Sequence, residues 1–196
     1  MRIGVLALQG AFIEHCRTLR ALGVETTEVR LPEQLDGIQA LVIPGGESTT
    51  IGKLLVTYEL RDPLSRLIRG GLPVFGTCAG LIVLATEVVG HNQPLIGAID
   101  ITVNRNAFGS QVDSFETDLA VPALGEAPFR AVFIRAPAIT RVGPGVEVLA
   151  TLPSGPIVAA RQGAVVVSAF HPELTGDRRF HQYFLSIVRE SRTGLS

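Results

Sequence analysis

Residues 73–81 read Pro-Val-Phe-Gly-Thr-Cys-Ala-Gly-Leu and join a short apolar strand, residues 73–75, to a helix that begins near Leu81. The turn between them has the pattern Gly-x-Cys-x-Gly, which is the cysteine form of the sharp strand-to-helix turn that exposes a nucleophile. This unit predicts an α/β organisation and draws attention to Cys78.

The alternation of strand and helix extends from this unit towards the N-terminus. Strands are predicted at residues 3–8, 24–29 and 40–43, and helices at residues 12–22, 48–56 and 63–68. Because strands and helices alternate throughout this half, we expect an open, mainly parallel sheet with helices on both faces.

From residue 96 onward the pattern changes to strands separated by turns. Such strands are predicted at residues 99–103, 112–119, 131–134, 146–152, 157–160 and 164–170. Antiparallel hairpins should therefore extend the sheet and make it mixed. A last helix carries Phe180, Phe184, Ile187 and Val188 on one face, which should pack on the sheet. We expect a single domain over residues 1–196.

The composition excludes several classes of protein. Hydrophobic residues make up 46% of the chain and charged residues 18%, so the chain should be globular. The formal net charge of -1, without a cluster of Lys and Arg, argues against nucleic acid as a partner. The sequence contains no apolar run long enough to cross a membrane, and it begins without a signal-peptide pattern, which favours the cytoplasm. No Cys-x-x-Cys pair suggests a zinc site. We expect no metal and no cofactor.

Cys78 and a distant histidine form a candidate catalytic pair. Thiol catalysis needs an exposed thiolate near a base, at a place where backbone N–H groups can receive an oxyanion. His171 directly follows the predicted strand at residues 164–170, and Glu173 lies two residues further on. Strand ends are where catalytic groups gather in open α/β sheets, and the carboxylate can orient the imidazole. A plain buried cysteine is the alternative at Cys78.

The other cysteine and histidines have simpler interpretations. Cys16 lies on the apolar face of the first helix and should be part of the core. His15 and His181 lie within helices and His91 lies in a polar loop, so each is interpreted as a surface or structural histidine.

The segment Pro-Gly-Gly-Glu-Ser at residues 44–48 follows the predicted strand at residues 40–43. A glycine pair at this point can present backbone N–H groups, so Gly46 is a candidate donor to an oxyanion. The alternative is a glycine turn followed by a helix cap at Ser48.

These motifs together resemble those of the class I glutamine amidotransferases. The similarity rests on Gly-Thr-Cys-Ala-Gly at 76–80, Pro-Gly-Gly-Glu-Ser-Thr at 44–49 and Phe-His-Pro-Glu-Leu-Thr at 170–175. The chain resembles more narrowly the glutaminase subunits of pyridoxal 5′-phosphate synthase. The motifs for this narrower match are Leu-Gln-Gly-Ala at 8–11, Arg105-Asn106 with Phe108-Gly109, Gln-Val-Asp-Ser-Phe-Glu at 111–116 and Val-Phe-Ile-Arg-Ala-Pro at 132–137.

The resemblance implies a flavodoxin-like fold and a role for each matching residue. Cys78 would be the nucleophile, His171 the general acid and base, and Glu173 its orienting carboxylate. The backbone N–H groups of Gly46 and Ala79 would form the oxyanion hole. L-Glutamine would contact Gly46, Glu47, Ser48, Arg105, Ile134 and Arg135. Asn104 and Ala107 depart from the family's usual Glu and Ser, which puts local hydrogen bonding in doubt.

The resemblance also implies an activity and a partner. The enzyme would hydrolyse L-glutamine to L-glutamate and ammonia and pass the ammonia to a separate synthase subunit, in a hetero-oligomeric complex that forms pyridoxal 5′-phosphate from a pentose phosphate and a triose phosphate. Gln9 and Gly10 should lie on the same sheet edge as the glycine pair and could transmit partner binding. A glutaminase serving another synthase, a cysteine peptidase or amidase, and a non-enzymatic binding module stay open as alternatives.

Overall fold

The computed structural model describes residues 1–105, 107, 108 and 114–193. Its strands are β1 (Arg2–Leu6), β2 (Glu25–Val29), β3 (Ala40–Ile43), β4 (Val74–Thr77), β5 (Ala85–Val88), β6 (Ile99–Asn104), β7 (Ser114–Leu119), β8 (Phe129–Ile134), β9 (Ala138–Val142), β10 (Glu147–Thr151), β11 (Ile157–Gln162) and β12 (Val165–Ser168). Its α-helices are α1 (Phe12–Ala21), α2 (Ser48–Thr57), α3 (Arg61–Arg69), α4 (Ala79–Leu84) and α5 (Arg179–Thr193). Short 3₁₀ helices lie at Pro32–Leu35, Pro122–Leu124 and Pro172–Leu174. Within these ranges no helix has both the length and the apolar composition needed to cross a bilayer.

Within the described part of the chain, ten strands form the main sheet, in the order β2-β1-β3-β4-β12-β11-β9-β6-β5, with β10 paired to β11. The neighbours from β2 to β12 are parallel, and β5 is parallel to β6. The pairs β12-β11, β11-β9, β9-β6 and β10-β11 are antiparallel. The predicted α/β class with an open, mixed and mainly parallel sheet is confirmed.

The centre of the sheet explains where the site lies. All residues of β3, β4 and β12 are buried, as expected for parallel strands covered on both faces. Thr77 at the end of β4 pairs with Ser168 at the end of β12, and Ile43 at the end of β3 pairs with Gly76. The segments that follow these three strands therefore leave the sheet side by side.

Helix α5 packs against the sheet as predicted, with Phe180, Phe184, Ile187 and Val188 all buried. Phe75 of β4 contacts the rings of Phe180 and Phe184, each at a centroid distance of 5.5 Å. This aromatic layer fixes the C-terminal helix over the strand that leads to Cys78.

The helix predicted from about Leu81 onward is a short one, Ala79–Leu84. Helix α4 ends at Leu84, and the chain continues as β5, which pairs with β6 in the register Ala85 to Ile99. The β-branched residues Thr86 and Val88 favour a strand over a helix. The Thr86 hydroxyl also donates a hydrogen bond of 2.9 Å to the carbonyl of Ile101, which adds to the strand pairing.

The antiparallel region also differs from the prediction in one respect. Strands β7 and β8 form a separate two-stranded sheet and do not extend the main sheet. Burial alternates along both strands, so one face of this ribbon packs inward, where Phe115 stacks on Phe133 with a centroid distance of 4.5 Å. Residues 112 and 113 of the predicted strand lie outside the described residues, and strand β9 was not predicted.

Candidate active site

Cys78 occupies the sharp turn between β4 and α4. Its φ is positive, at 49° with a ψ of -101°, and such a sparsely populated conformation costs a non-glycine residue roughly 1–3 kcal/mol. The Cys78 N–H donates a hydrogen bond of 2.7 Å to the carbonyl of Ser168, which ties the turn to β12. The strain is therefore held in place by the sheet beneath it.

The glycines on either side of Cys78 are required by close packing. A Cβ atom at Gly80 would collide with the carbonyl of Ile43, and one at Gly76 would meet the side chain of Leu84 and the backbone of Gly80. Neither glycine has a positive φ. The turn is made at Cys78 itself, and the glycines let α4 approach β3 and β4.

His171 and Glu173 come together just beyond the end of β12. His171 Nδ1 lies 2.7 Å from Glu173 Oε1, and both residues are buried. The His171 N–H donates a hydrogen bond of 2.8 Å to the carbonyl of Val132 in β8, which fixes the backbone at this point. The predicted pair of imidazole and carboxylate is therefore present in the structure.

The charges around His171 favour its protonated form. Burial lowers the pKa of His171, but hydrogen bonds and charge interactions with Cys78 and Glu173 outweigh it and raise the pKa to about 10. Burial also raises the pKa of Glu173, whereas His15 and His171 lower it by more, so that its pKa lies below the ordinary value. The site thus combines an anionic carboxylate with an imidazolium beside the Cys78 sulfur.

The glycine pair after β3 lies against both His171 and the first loop of the chain. A Cβ atom at Gly45 would collide with the His171 ring, and one at Gly46 would collide with Gln9 Oε1. The Ala11 N–H donates a hydrogen bond of 3.0 Å to the carbonyl of Gly45. Because that carbonyl belongs to the same peptide unit as the Gly46 N–H, this bond fixes the direction of the N–H.

Helix α2 is capped by Glu47, whereas the sequence alternative placed the cap at Ser48. The Glu47 carboxylate accepts hydrogen bonds from the N–H groups of Thr49 and Thr50, at 3.2 and 2.7 Å. Burial raises the pKa of Glu47, but the hydrogen bonds from Thr50 and Thr49 lower it by more, to about 2. Glu47 is therefore an anion at the edge of the site.

Arg105 is held by Glu47, which caps α2, by Thr49 in α2 and by Gln93, which was not predicted. Its guanidinium donates to Glu47 at 2.8 Å, to the Thr49 hydroxyl at 3.0 Å and to Gln93 Oε1 at 3.2 Å. The Ser48 hydroxyl also donates to Gln93 Oε1, at 3.3 Å. Gln93 lies in an irregular segment without periodicity, so no local pattern pointed to it.

Strand β8 brings two further predicted residues to the site. Cys78 Sγ lies 3.9 Å from the carbonyl oxygen of Ile134, the last residue of β8. Arg135 follows with a left-handed φ of 42°. The separate β7-β8 ribbon thus supplies one wall of the site.

These residues enclose a cavity of about 370 Å³, within the range of roughly 300–1,000 Å³ typical of small-molecule sites. It is lined by Gln9, Gly46, Glu47, Ser48, Cys78, Ala79, Ile82, Arg105, Ile134, Arg135 and His171. Ile82 was not predicted. Glu173 lies behind His171, and Gly10 packs against the carbonyl of Gly45 without lining the cavity.

The remaining cysteine and histidines lie in three different environments. Cys16 is buried in α1, as expected for a core residue, and His91 is exposed. His15 and His181 are fully buried, and His15 Nε2 lies 3.4 Å from Glu173 Oε2. Of the two interpretations, surface or structural, burial leaves only the structural one for His15 and His181, because the packing of α1 and α5 removes both from solvent.

Known proteins match this chain over nearly its whole length. A protein from Pelotomaculum thermopropionicum named pyridoxal 5′-phosphate synthase subunit PdxT is 64% identical over 185 residues, with 94% of each chain covered. A protein of the same name from Herpetosiphon aurantiacus is 62% identical, covering 95% of this chain and 100% of its own. A solved structure described as a glutamine amidotransferase superposes with a TM-score of 0.91 at 54% identity, covering 95% of this chain and 98% of its own.

The family model agrees with these relatives. The model described as the SNO glutamine amidotransferase family matches residues 5–190. It spans all the motifs on which the resemblance rests, so the resemblance is confirmed. The chain belongs to the SNO glutamine amidotransferase family.

Proposed function

We propose that this enzyme hydrolyses L-glutamine to L-glutamate and ammonia through a triad of Cys78, His171 and Glu173. The observation that carries the proposal is the arrangement of three groups: Glu173 Oε1 lies 2.7 Å from His171 Nδ1, and His171 and Cys78 line the same cavity, where, despite burial, the interaction with Cys78 raises the pKa of His171. Membership of a glutamine amidotransferase family agrees with the glutaminase activity that the motifs predict.

The geometry supports a mechanism in two stages. The Cys78 sulfur attacks the side-chain carbonyl carbon of glutamine, and a C–S bond forms as the C=O electron pair moves to oxygen. His171 donates its proton to the leaving nitrogen and the C–N bond breaks. Ammonia departs, and the glutamyl group remains bound to Cys78 as a thioester. Water then attacks the thioester and gives its proton to His171, which releases glutamate and restores the thiolate.

The oxyanion of each stage needs N–H donors fixed in advance. Gly46 and Ala79 both line the cavity beside Cys78, and we propose their N–H groups as these donors. The hydrogen bond from Ala11 to the Gly45 carbonyl holds the peptide of Gly46 in one orientation in the isolated chain, and this is the peptide on which synthase binding would act. Ala79 is the first residue of α4, where N–H groups lack partners within the helix.

The charges in the cavity suit an amino acid with its carboxylate and ammonium groups. Arg105 and Arg135 are candidate partners for the α-carboxylate, and Glu47 is a candidate partner for the α-ammonium. Arg105 already pairs with Glu47 at 2.8 Å, so the two hold each other in position before substrate arrives. The backbone of Gly46, the Ser48 side chain and Ile134 complete the proposed contacts with glutamine.

We further propose that the ammonia is used by a synthase subunit that forms pyridoxal 5′-phosphate. The support is that two relatives, at 64% and 62% identity and each matched over at least 94% of both chains, are named as subunits of pyridoxal 5′-phosphate synthase. This chain would then be the glutaminase subunit of a hetero-oligomeric complex.

One experiment tests both parts of the proposal. The purified chain is mixed with a candidate synthase subunit, a pentose phosphate and a triose phosphate, and glutamate and pyridoxal 5′-phosphate are measured with glutamine or a peptide as substrate. We expect glutamate release and glutamine-dependent pyridoxal 5′-phosphate, with no peptide cleavage. Peptide cleavage without glutamine hydrolysis would contradict the glutaminase. Glutamate release without formation of pyridoxal 5′-phosphate would contradict the proposed partner and leave the glutaminase activity standing.

We also predict that the isolated chain hydrolyses glutamine slowly and that synthase binding raises the rate by roughly 10²- to 10³-fold, the scale of gaining one oxyanion donor. Gln9 Oε1 accepts a hydrogen bond of 2.7 Å from the Glu47 N–H, and Gly10 packs on the carbonyl of Gly45. A partner that contacts this loop would therefore act directly on the peptide units around Gly46. The measurement is glutamate release at saturating glutamine with and without the synthase.

The variant Gln9→Ala should reduce the stimulation by the synthase. Gln39→Ala is the matched control, because Gln39 Oε1 also accepts a backbone N–H, that of Arg2 at 3.0 Å, but at the opposite end of β1. Equal rates with and without the synthase would exclude the gating while leaving the glutaminase assignment standing. Equal losses in the two variants would exclude a specific role for Gln9.

A further inference from the structure

His15 lies directly behind the proposed triad, on an element that the mechanism does not use. It is in the second turn of α1, shortly after the loop that contacts the glycine pair, and it is fully buried. Its Nε2 lies 3.1 Å from the hydroxyl of Thr77, the residue before Cys78, and 3.4 Å from Glu173 Oε2. One imidazole thus reaches two of the segments that form the active site.

The Glu173 carboxylate has an unequal set of partners. Oε1 faces His171 Nδ1 at 2.7 Å, whereas Oε2 has no hydrogen-bond partner among the residues that the structure describes. A buried carboxylate oxygen without a donor is costly. The nearby candidate donor is His15 Nε2, which lies 3.4 Å from Glu173 Oε2 and 3.1 Å from the Thr77 hydroxyl, so its N–H can be shared between the two oxygens. Contacts of this kind shorten when an active site closes on its substrate.

The surroundings of His15 decide which of its nitrogens carries the proton. His15 Nδ1 lies 3.0 Å from His181 Nε2, and His181 Nδ1 has no partner within the described part of the chain. A proton on His15 Nδ1 would force the His181 proton onto that unpartnered Nδ1. It would also point the lone pair of His15 Nε2 at a carboxylate oxygen. When His15 Nε2 is protonated and His15 Nδ1 accepts from His181, the lone pair no longer faces the carboxylate, and the unpartnered His181 Nδ1 is left as an acceptor and not as a donor.

We propose that His15 is a positioning residue for the glutaminase reaction, which donates from Nε2 to Glu173 Oε2 and so keeps the carboxylate aligned with His171. His181 acts behind it by holding His15 in the donating tautomer. His181 then donates a hydrogen bond to His15, and His15 donates one to Glu173 Oε2. His171 donates to the other carboxylate oxygen, Oε1. This inference rests on the proposed function of His171 and Glu173.

The charges that face these groups are consistent with a neutral donor. His15 is faced by Glu14 on its own helix, by Glu173 and His171 from the segment after β12, and by His181 from α5. Burial lowers the pKa of His15 below its ordinary value and lowers that of His181 to about 3. Both rings are therefore uncharged near pH 7, so His15 serves Glu173 as a hydrogen-bond donor.

The test compares two amides at position 15. The side-chain N–H of His15→Gln takes roughly the place of Nε2 and can reach Glu173, whereas that of His15→Asn takes the place of Nδ1 and cannot. We expect His15→Asn to lower kcat by about 10- to 100-fold with little change in KM, as for other groups that orient a catalytic residue. We expect His15→Gln to restore most of the rate. Cys16→Ala, a buried change on the same helix, is the control for packing.

Two further measurements separate positioning from simple structural support. Without a donor the Glu173 pKa should rise, so the acidic limb of the kcat/KM profile should move to higher pH in His15→Asn and return in His15→Gln. The carboxyl carbon of Glu173, followed by ¹³C NMR and assigned with Glu173→Gln, should show the same shift.

The outcomes distinguish the two proposals. Equal losses in His15→Asn and His15→Gln, or a parental pH profile and Glu173 pKa in His15→Asn, would overturn the role of His15. If the parent protein does not hydrolyse glutamine, the proposed function fails, and the NMR titration still decides whether His15 acts on Glu173.

Discussion

Replacing Cys78 with alanine should abolish glutamine hydrolysis, with a loss of roughly 10⁴-fold or more, because the substitution removes the attacking atom. The fold should survive, since alanine removes a single sulfur atom and leaves the N–H bond to Ser168 in place. The measurement is glutamate release in the presence of the synthase, with circular dichroism to check the fold.

Cys16→Ala is the matched control for this prediction. Cys16 is also a buried, free cysteine, but it lies on the core face of α1. Its replacement should leave the rate within about twofold of the parent, since changes that do not touch the reacting groups have little effect on the chemical step. A Cys78→Ala variant that retains an appreciable fraction of the parent rate would show that another group attacks the amide.

The same Cys78 variant should lower the pKa of His171. Burial lowers that pKa in the parent, and Cys78 and Glu173 together raise it to about 10. Without Cys78 only Glu173 remains of these two partners, so the imidazole should lose its proton at a lower pH. An NMR titration of His171, with the exposed His91 as internal reference, measures the change, and an unchanged His171 pKa would contradict the coupling to Cys78.

His171→Asn should be nearly as damaging as the loss of Cys78, because it removes the group that transfers every proton in the mechanism. The loss of rate in Glu173→Gln should be smaller than that in His171→Asn by about one to two orders of magnitude, since the amide oxygen can still accept from His171 Nδ1. Both rates are measured as kcat with the synthase bound.

The two effects should not add, because Glu173 acts through His171. The double variant should therefore be about as slow as His171→Asn alone. A double variant much slower than His171→Asn would mean that Glu173 contributes by a route that does not involve the imidazole.

Local sequence patterns were sufficient for much of the fold and for the central residues of the site. The unit at residues 73–81 carries both a buried strand and a constrained turn, and each depends on neighbouring residues alone. The same holds for α5, whose four predicted apolar residues are buried, and for β3, whose bounds match the prediction. His171 and Glu173 were found because they directly follow a strongly apolar strand.

Element ends and partners were harder to predict where distant contacts compete with local preference. Helix α4 stops at Leu84 because the following residues pair with β6. Strands β7 and β8 carry ordinary hairpin patterns, which cannot tell whether a hairpin joins the main sheet or packs beside it. Gln93 lies in an irregular segment, and its contact with Arg105 exists only in the folded chain.

The α/β class, the turn at Cys78 and the pairing of His171 with Glu173 can be predicted from the sequence, since each depends on residues close together in the chain. The folded protein adds that β12 lies beside β4, which brings His171 to Cys78, and that α1 and α5 bury His15 and His181 behind Glu173. Strand order and helix packing arise from contacts between segments far apart in sequence, and the free energy of those contacts leaves no local pattern.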